Sequence, residues 1–370
     1  MSNTASATAT FSLTQAREIV SDLYTPNRWI YWLDYGLTIA FAHTLFLALA
    51  TITFWFDGPK SWEWTLLGIG YLIDILLYYR ASIFIHELTH LRVGTFNAFR
   101  VFWNATYGVP LLVPSFLYFL HLDHHRRKCY GTREDGEYVA LEYMSKWYIV
   151  LFLIAPLLLP ALAVLRFLVL SSVGWLIPPF RRQIHRARSS LAMDLRYERP
   201  LPTPAGLRMI LLQEASCFLW IVGILFLLST SLQTMAVPLL IQGYATLGGI
   251  AMLNGFRALI THRWSGDETH MTFLEQLLDS VNFPRRGVGE IWAPVGQRFH
   301  ATHHLFPSIP YHNLGIAHRR LMAQLPEDSP YRLTASYSGW KSFADVWHRA
   351  GSRRHENHIR FSELCKVVPY

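Results

Sequence analysis

Four apolar runs arranged as two pairs constrain this chain more than any other feature. Residues 36–56 (GLTIAFAHTLFLALATITFWF) and 64–84 (WTLLGIGYLIDILLYYRASIF) form the first pair, and residues 210–230 and 237–257 the second. Each is long enough to cross a bilayer, which takes about 20 helical residues at ~1.5 Å per residue. In lipid a lone segment can bond all its backbone polar groups only as a helix. The links DGPKSWE and SLQTMA are short, so each pair is expected to be an antiparallel hairpin. Composition agrees: the chain is 52% apolar and 15% aromatic but only 16% charged, against about 25% charged in soluble domains.

Charge then suggests an orientation. Lys60 is the basic residue of the two links, whereas the loop 181–208 carries seven arginines. By the positive-inside rule the links face outward, and both termini and the long loops face the cytoplasm. That places the chain in the inner membrane if it is bacterial. The net charge of +8 belongs to such loops, and no nucleic-acid partner is needed to explain it. The opening MSNTASATAT lacks the basic and apolar regions of a signal peptide and is expected to be a disordered tail. Cys129, Cys217 and Cys365 are too dispersed for a disulfide framework or a zinc ribbon.

Three stretches resist simple assignment. Residues 11–35, with Trp29, Tyr31, Trp32 and Tyr35, suit a segment lying at the membrane–water interface. Residues 95–120, broken by Pro110 and Pro114, suggest the same. Residues 147–180 are apolar enough to span but are interrupted by Pro156, Pro160 and Arg166. One crossing there would put the arginine-rich loop outside, so the expectation is a re-entrant hairpin dipping into the cytoplasmic leaflet.

The histidines supply the chemistry. Of 17 in the chain, eight fall in three five-residue windows: His86 and His90 in HELTH, His121, His124 and His125 in HLDHH, and His300, His303 and His304 in HATHH. On a helix, residues three and four apart share a face, so each window turns its imidazoles in one direction. On the span map all three windows emerge on the same side, just outside the lipid. HELTH alone fits the H-E-x-x-H signature of a zinc protease, but that leaves the other two windows without a role. Eight imidazoles exceed what one four-coordinate zinc uses, whereas two irons with four or five ligands each would use them all. Glu87 and Asp123 are then expected to orient ligand histidines rather than bind metal.

With its H-x-x-x-H, H-x-x-H-H and H-x-x-H-H boxes, two pairs of spans and the run HHLFPSIPYHNLGIAHRRL after the third box, the chain resembles the membrane fatty acid desaturases and their hydroxylase relatives over roughly residues 28–325. The resemblance implies an all-α integral membrane protein of four transmembrane helices plus interfacial helices, under a cytoplasmic histidine-rich helical cap. Residues 1–27 would be a tail and amphipathic segment, and residues 326–370 a basic cytoplasmic tail. It further implies two iron ions, O2 as co-substrate and a fatty acyl chain as substrate, with desaturation as the leading outcome. Hydroxylation or oxidative decarboxylation to a terminal alkene starts from the same hydrogen abstraction, so histidine spacing does not separate them. A redox metal is required because no side chain abstracts hydrogen from an unactivated methylene. No His-Pro pair is present, so a fused haem domain carrying H-P-G-G is excluded, and electrons would come from a separate ferredoxin or cytochrome b5.

The acyl-CoA members of that family use a ninth histidine after the last span, a role His262 in LITHRW is placed to fill. They also carry an asparagine one turn earlier, where this chain has Ala258; Asn254 lies a further turn back. Among the remaining residues, Asp74 and Glu214 are ionisable groups inside spans, where a functional role is the default expectation. Arg80 or Arg166 would be the natural partner for Asp74. His43 is expected to be a satisfied polar residue between helices. His270, His312, His318, His348, His355 and His358 are expected at the surface.

Overall fold

The computed structural model describes residues 11–52, 61–92 and 94–353. Most of the first link and the terminal segments 1–10 and 354–370 therefore lie outside the described residues, with His355 and His358. Among those described the chain is helical, with isolated bridges and no β-strand. Among the described residues, five helical stretches are long and apolar enough to cross a membrane.

The short helix α1 (Leu13–Ile19) leads into α2 (Arg28–Thr51), whose first turn is capped by the Asn27 side chain accepting from the Trp29 N–H at 3.0 Å. The interfacial aromatics expected at 29–35 are thus the start of the first long helix. Helix α3 (Ser61–His90) packs along α2 and runs unbroken into HELTH. Outward-facing Leu33, Leu37, Phe41, Leu66 and Leu72 give this pair a lipid-compatible surface. Its inner face holds polar groups that satisfy one another. The Nε2–H of His43 donates to the Thr106 carbonyl (3.0 Å), leaving Nδ1 to accept from the Tyr78 hydroxyl (2.6 Å), as expected of a polar residue between helices. Asp74 accepts from Thr246 at 3.3 Å instead of pairing with arginine, because Arg80 is taken by Asp34 (2.6 Å) and Arg166 by Glu214.

Helix α4 (Asn97–Trp103) continues through a π turn to Gly108 and breaks before Pro110. Its Phe99 and Trp103 are fully buried, and the Trp103 indole donates to the Ala81 carbonyl of α3 at 3.0 Å, so this segment is part of the core. The one-turn helix α5 (His121–His124) follows.

Residues 146–176 depart from expectation. They form one helical stretch built from α6 (Lys146–Ile154), a 3-10 turn, α7 (Leu159–Val164), a π turn and α8 (Ser171–Leu176). Pro156 and Pro160 fall at the first positions of new helical segments, where a missing N–H breaks no bond. Arg166 is neutralised by Glu214 and also bonds Ser171, Ser189 and the Arg188 carbonyl. The amphipathic α9 (Pro178–Ala187) adds His185 to the same carboxylate at 3.2 Å. Glu214 therefore ties three elements together, and a fifth helix long enough to span stands where a re-entrant hairpin was expected.

That helix also alters the second pair. Helices α10 (Pro204–Ser229) and α11 (Ala236–Thr261) are joined by a short turn, yet residues 146–176 pack between them, touching α11 through their first half and α10 through their second. Beyond α11 lie α12 (Phe273–Asp279), α13 (Val288–Trp292), α14 (His300–Leu305) and α15 (Tyr311–Gln324). The region expected as a tail from residue 326 is folded as far as it is described. Its helix α16 (Gly339–Arg349), capped by Ser338, packs on α11 and puts Val346 into a core with Ile149 and Leu259. His318 is buried and its Nδ1 meets the Tyr331 hydroxyl at 2.9 Å, while His312 accepts from the Asn27 N–H at 3.1 Å, so neither is a free surface residue. His270 and His348 are exposed.

Candidate metal centre

Nine histidines converge between α3, α5, α14 and the end of α11. In one group, His86, His90, His121, His125 and His303 each offer a ring nitrogen, and these atoms all lie within 4.8 Å of one another. In a second, His124, His262, His300 and His304 do the same. All eight box histidines are present, together with His262, which caps α11 in extended conformation.

Helical phase explains the division. His86 and His90 stand one turn apart on α3, as do His121 and His125, and His300 and His304. Within each H-x-x-H-H window the fourth residue points aside. His124 thus leaves its neighbours for the second group, and His303 leaves its neighbours for the first. The two windows each feed both groups, so the groups must be adjacent; the His125 and His304 rings lie 4.3 Å apart, centroid to centroid.

Carboxylates set the tautomers of three of these histidines. His121 meets Glu137 through Nδ1 at 2.8 Å, His124 meets Asp135 at 2.8 Å, and His262 meets Asp279 at 3.3 Å. With Nδ1 donating, Nε2 carries the lone pair. Those lone pairs face one another: Nε2 atoms of His125 and His121 are 2.9 Å apart, those of His303 and His125 3.0 Å, and those of His300 and His262 2.8 Å. Among the described residues, both ring nitrogens of His86 and Nε2 of His90 are buried with no hydrogen-bond partner. Buried ring nitrogens without a partner are costly, and a cation would satisfy the acceptor nitrogen of each ring. The imidazole-only donor set suits iron, and the residues fit two such ions.

Electrostatics keeps the set in ligating form. Burial, then the neighbouring imidazoles, holds His121, His125, His300, His303 and His304 well below the usual histidine range, so they are neutral. His124 differs: burial acts downward, but the Asp135 carboxylate together with Glu137 and Asp279 raises the value. Asp279 is likewise opposed by burial, yet hydrogen bonds from His262, Ser265 and Tyr130 hold it down to about 2. Burial lifts Glu137 to about 7.

The residues expected to orient ligands do not do so. Glu87 accepts from the Tyr31 hydroxyl (2.6 Å) and the Tyr311 N–H (3.1 Å), and its other oxygen stays 3.6 Å from His86 Nδ1. It staples α2 and α15 to α3, and so is not aimed at the metal as a protease base would be. Asp123 binds Arg126 (2.5 Å) and the Tyr197 hydroxyl (3.0 Å), because the turn of α5 points it away from the imidazoles. Asn254 is held by the Arg257 guanidinium at 3.1 Å. Asp135, Glu137, Asp279 and Tyr130 escaped sequence reasoning. The acidic run REDGEY just after the second box was the available signal for the first two.

Comparison with known proteins agrees with this geometry. Residues 62–335 match the family model described as Fatty acid desaturase. A ceramide hydroxylase of Caulobacter vibrioides (strain NA1000 / CB15N) is 36% identical over 345 residues, covering 92% of this chain and 95% of that protein. No solved structure matches.

Proposed function

Because the chain belongs to the fatty acid desaturase family, whose members are oxygen-dependent oxidoreductases of lipids drawing electrons from an external donor, we propose that it hydroxylates a membrane lipid of the ceramide class. The observation that carries this reading is the 36% identity, nearly end to end, with a ceramide hydroxylase. In the overall reaction a C–H bond becomes C–OH while O2, two electrons and two protons yield the inserted oxygen and one water. Two irons, held by His86, His90, His121, His125 and His303 on one side and by His124, His262, His300 and His304 on the other, would supply O2 activation and hydrogen abstraction.

The protein's own part is positional. Asp135, Glu137 and Asp279 fix the Nδ1–H tautomers of His124, His121 and His262, aiming each Nε2 lone pair inward. The buried shell around the imidazoles excludes bulk water, which protects an oxidising site from unproductive turnover. The helices long enough to span would hold the lipid alongside, with the histidine cap and both termini on the cytoplasmic face. A separate ferredoxin or cytochrome b5 would deliver electrons there.

Desaturation is the second reading, favoured by the description of the matching family model. It takes a second hydrogen from the neighbouring carbon and yields two waters. Lipid mass spectrometry of cells expressing the chain or its His303→Ala variant separates the two. A lipid one oxygen heavier, labelled from 18O2 and lost in the variant, supports hydroxylation. A lipid two hydrogens lighter replaces it with desaturation.

A further inference from the structure

Where α11 ends at Thr261, a cavity of about 540 Å³ opens between that helix end, the strand-like segment at Val281 and α16. It falls in the ~300–1,000 Å³ range of small-molecule sites. Its lining includes His262, a proposed ligand of the four-histidine group. Its lining also includes Arg263, Lys341, Arg349, Ser336, Ser342 and Asp345, of which Arg263 already donates to the Leu333 carbonyl and Arg349 to Glu142. The Lys341 ammonium has no hydrogen bond or ion pair among the described residues.

The wall of the cavity has the character of a membrane interface. Trp340 and Tyr337 on and before α16 are 74% and 65% exposed, and the Trp340 ring lies 6.1 Å from Phe256 in the last turns of the long α11. Such amphipathic rings are enriched at headgroup level. Residues 336–349 follow the segment matched by the family model, 62–335.

We propose that this cavity receives the polar head of the lipid substrate, an uncharged head bearing carbonyl and hydroxyl oxygens. This inference rests on the hydroxylase reading and deepens it. Cationic donors suit the carbonyl, and the Asp345 carboxylate suits hydroxyl donors. A lipid seated there has its head against His262, so the carbons nearest the head lie nearest the metal groups and are the ones oxidised. A docked electron-carrier protein is less suited, since it would meet a concave opening containing a carboxylate rather than a uniformly basic face.

The test uses the full-length, iron-loaded protein in nanodiscs and a ceramide carrying a diazirine next to its amide. After irradiation, cross-linked peptides are mapped by mass spectrometry. Cross-links within residues 335–349 that unlabelled ceramide competes away are expected. Filling the cavity with Ser342→Trp should remove them. Lys341→Glu, at an exposed position that endangers folding little, should raise the KM for ceramide about tenfold with kcat nearly unchanged, the pattern of lost uniform binding. Cross-links elsewhere, or an unchanged KM in Lys341→Glu, would overturn the proposal. So would a loss seen with a protein electron donor that vanishes with a chemical reductant. Cross-linking reads binding alone, so head binding here without any hydroxylated product would sink the hydroxylase reading instead.

Discussion

The two histidine groups lie side by side, but a pair of histidines in each is held by different means. In the five-histidine group, His86 and His90 rise from a long helix whose Phe84, Ile85 and Leu88 are buried, and their ring nitrogens have no carboxylate bonded to them. In the four-histidine group, His124 sits on a single turn and His262 at a helix end, and each is tied by a buried carboxylate. A rigid, packed backbone orients an imidazole without polar help, whereas a short or terminal element requires an acid to do it. Orientation comes from packing for His86 and His90 and from hydrogen bonding for His124 and His262, with His121 of the five-histidine group also held by a carboxylate, Glu137.

The most severe test is loss of a ligand. His303→Ala should bring product to background, while His262→Ala should lower iron from about two per chain toward one, since binding is linked to each complete ligand set. Loss of both ions in His262→Ala, measured by elemental analysis, would show that the groups fill as one unit and dissolve the distinction. Next in size is Asp279→Asn, expected to weaken metal binding by about 10–100-fold, the usual cost of losing a ligand's orienting partner. Chelator competition should locate that loss in the four-histidine group. Leu88→Ala probes the other mode: it should lower stability by about 2–5 kcal/mol, read by thermal unfolding in detergent, and loosen iron chiefly in the five-histidine group. If Asp279→Asn and Leu88→Ala affect the same ion, the proposed division of labour fails. The smallest effect belongs to Asp123→Ala. Its partner Arg126 is exposed, so the cost should stay within about 1 kcal/mol, with iron content unchanged in the purified protein.

The same division explains what the sequence disclosed. Ligands spaced three and four apart within one helix announce themselves, and the eight box histidines were legible for that reason. His262 was reachable only through resemblance, because a lone histidine past a helix has no periodic partner. Asp135 and Asp279 reach their histidines from 11 and 17 residues away, Asp135 from a loop and Asp279 from the end of α12, so no shared repeat fixes the phase of either side chain against its histidine. Glu87 and Asp123 looked suitable because they sit inside the boxes, but helical rotation carries them off the metal-facing side. The fifth long helix was obscured by Pro156, Pro160 and Arg166. Two prolines at segment starts and an arginine partnered by a distant glutamate read as interruptions until that partner is known.

The splitting of each H-x-x-H-H window between the two groups has a consequence for change over time. The offset between neighbouring ligands is a fixed rotation of the peptide backbone, about 100° per residue, and cannot be altered by degrees. Inserting or deleting a single residue would swing one imidazole wholly out of place. Separation of the two histidine groups is therefore a quantity that selection can keep or destroy but not tune.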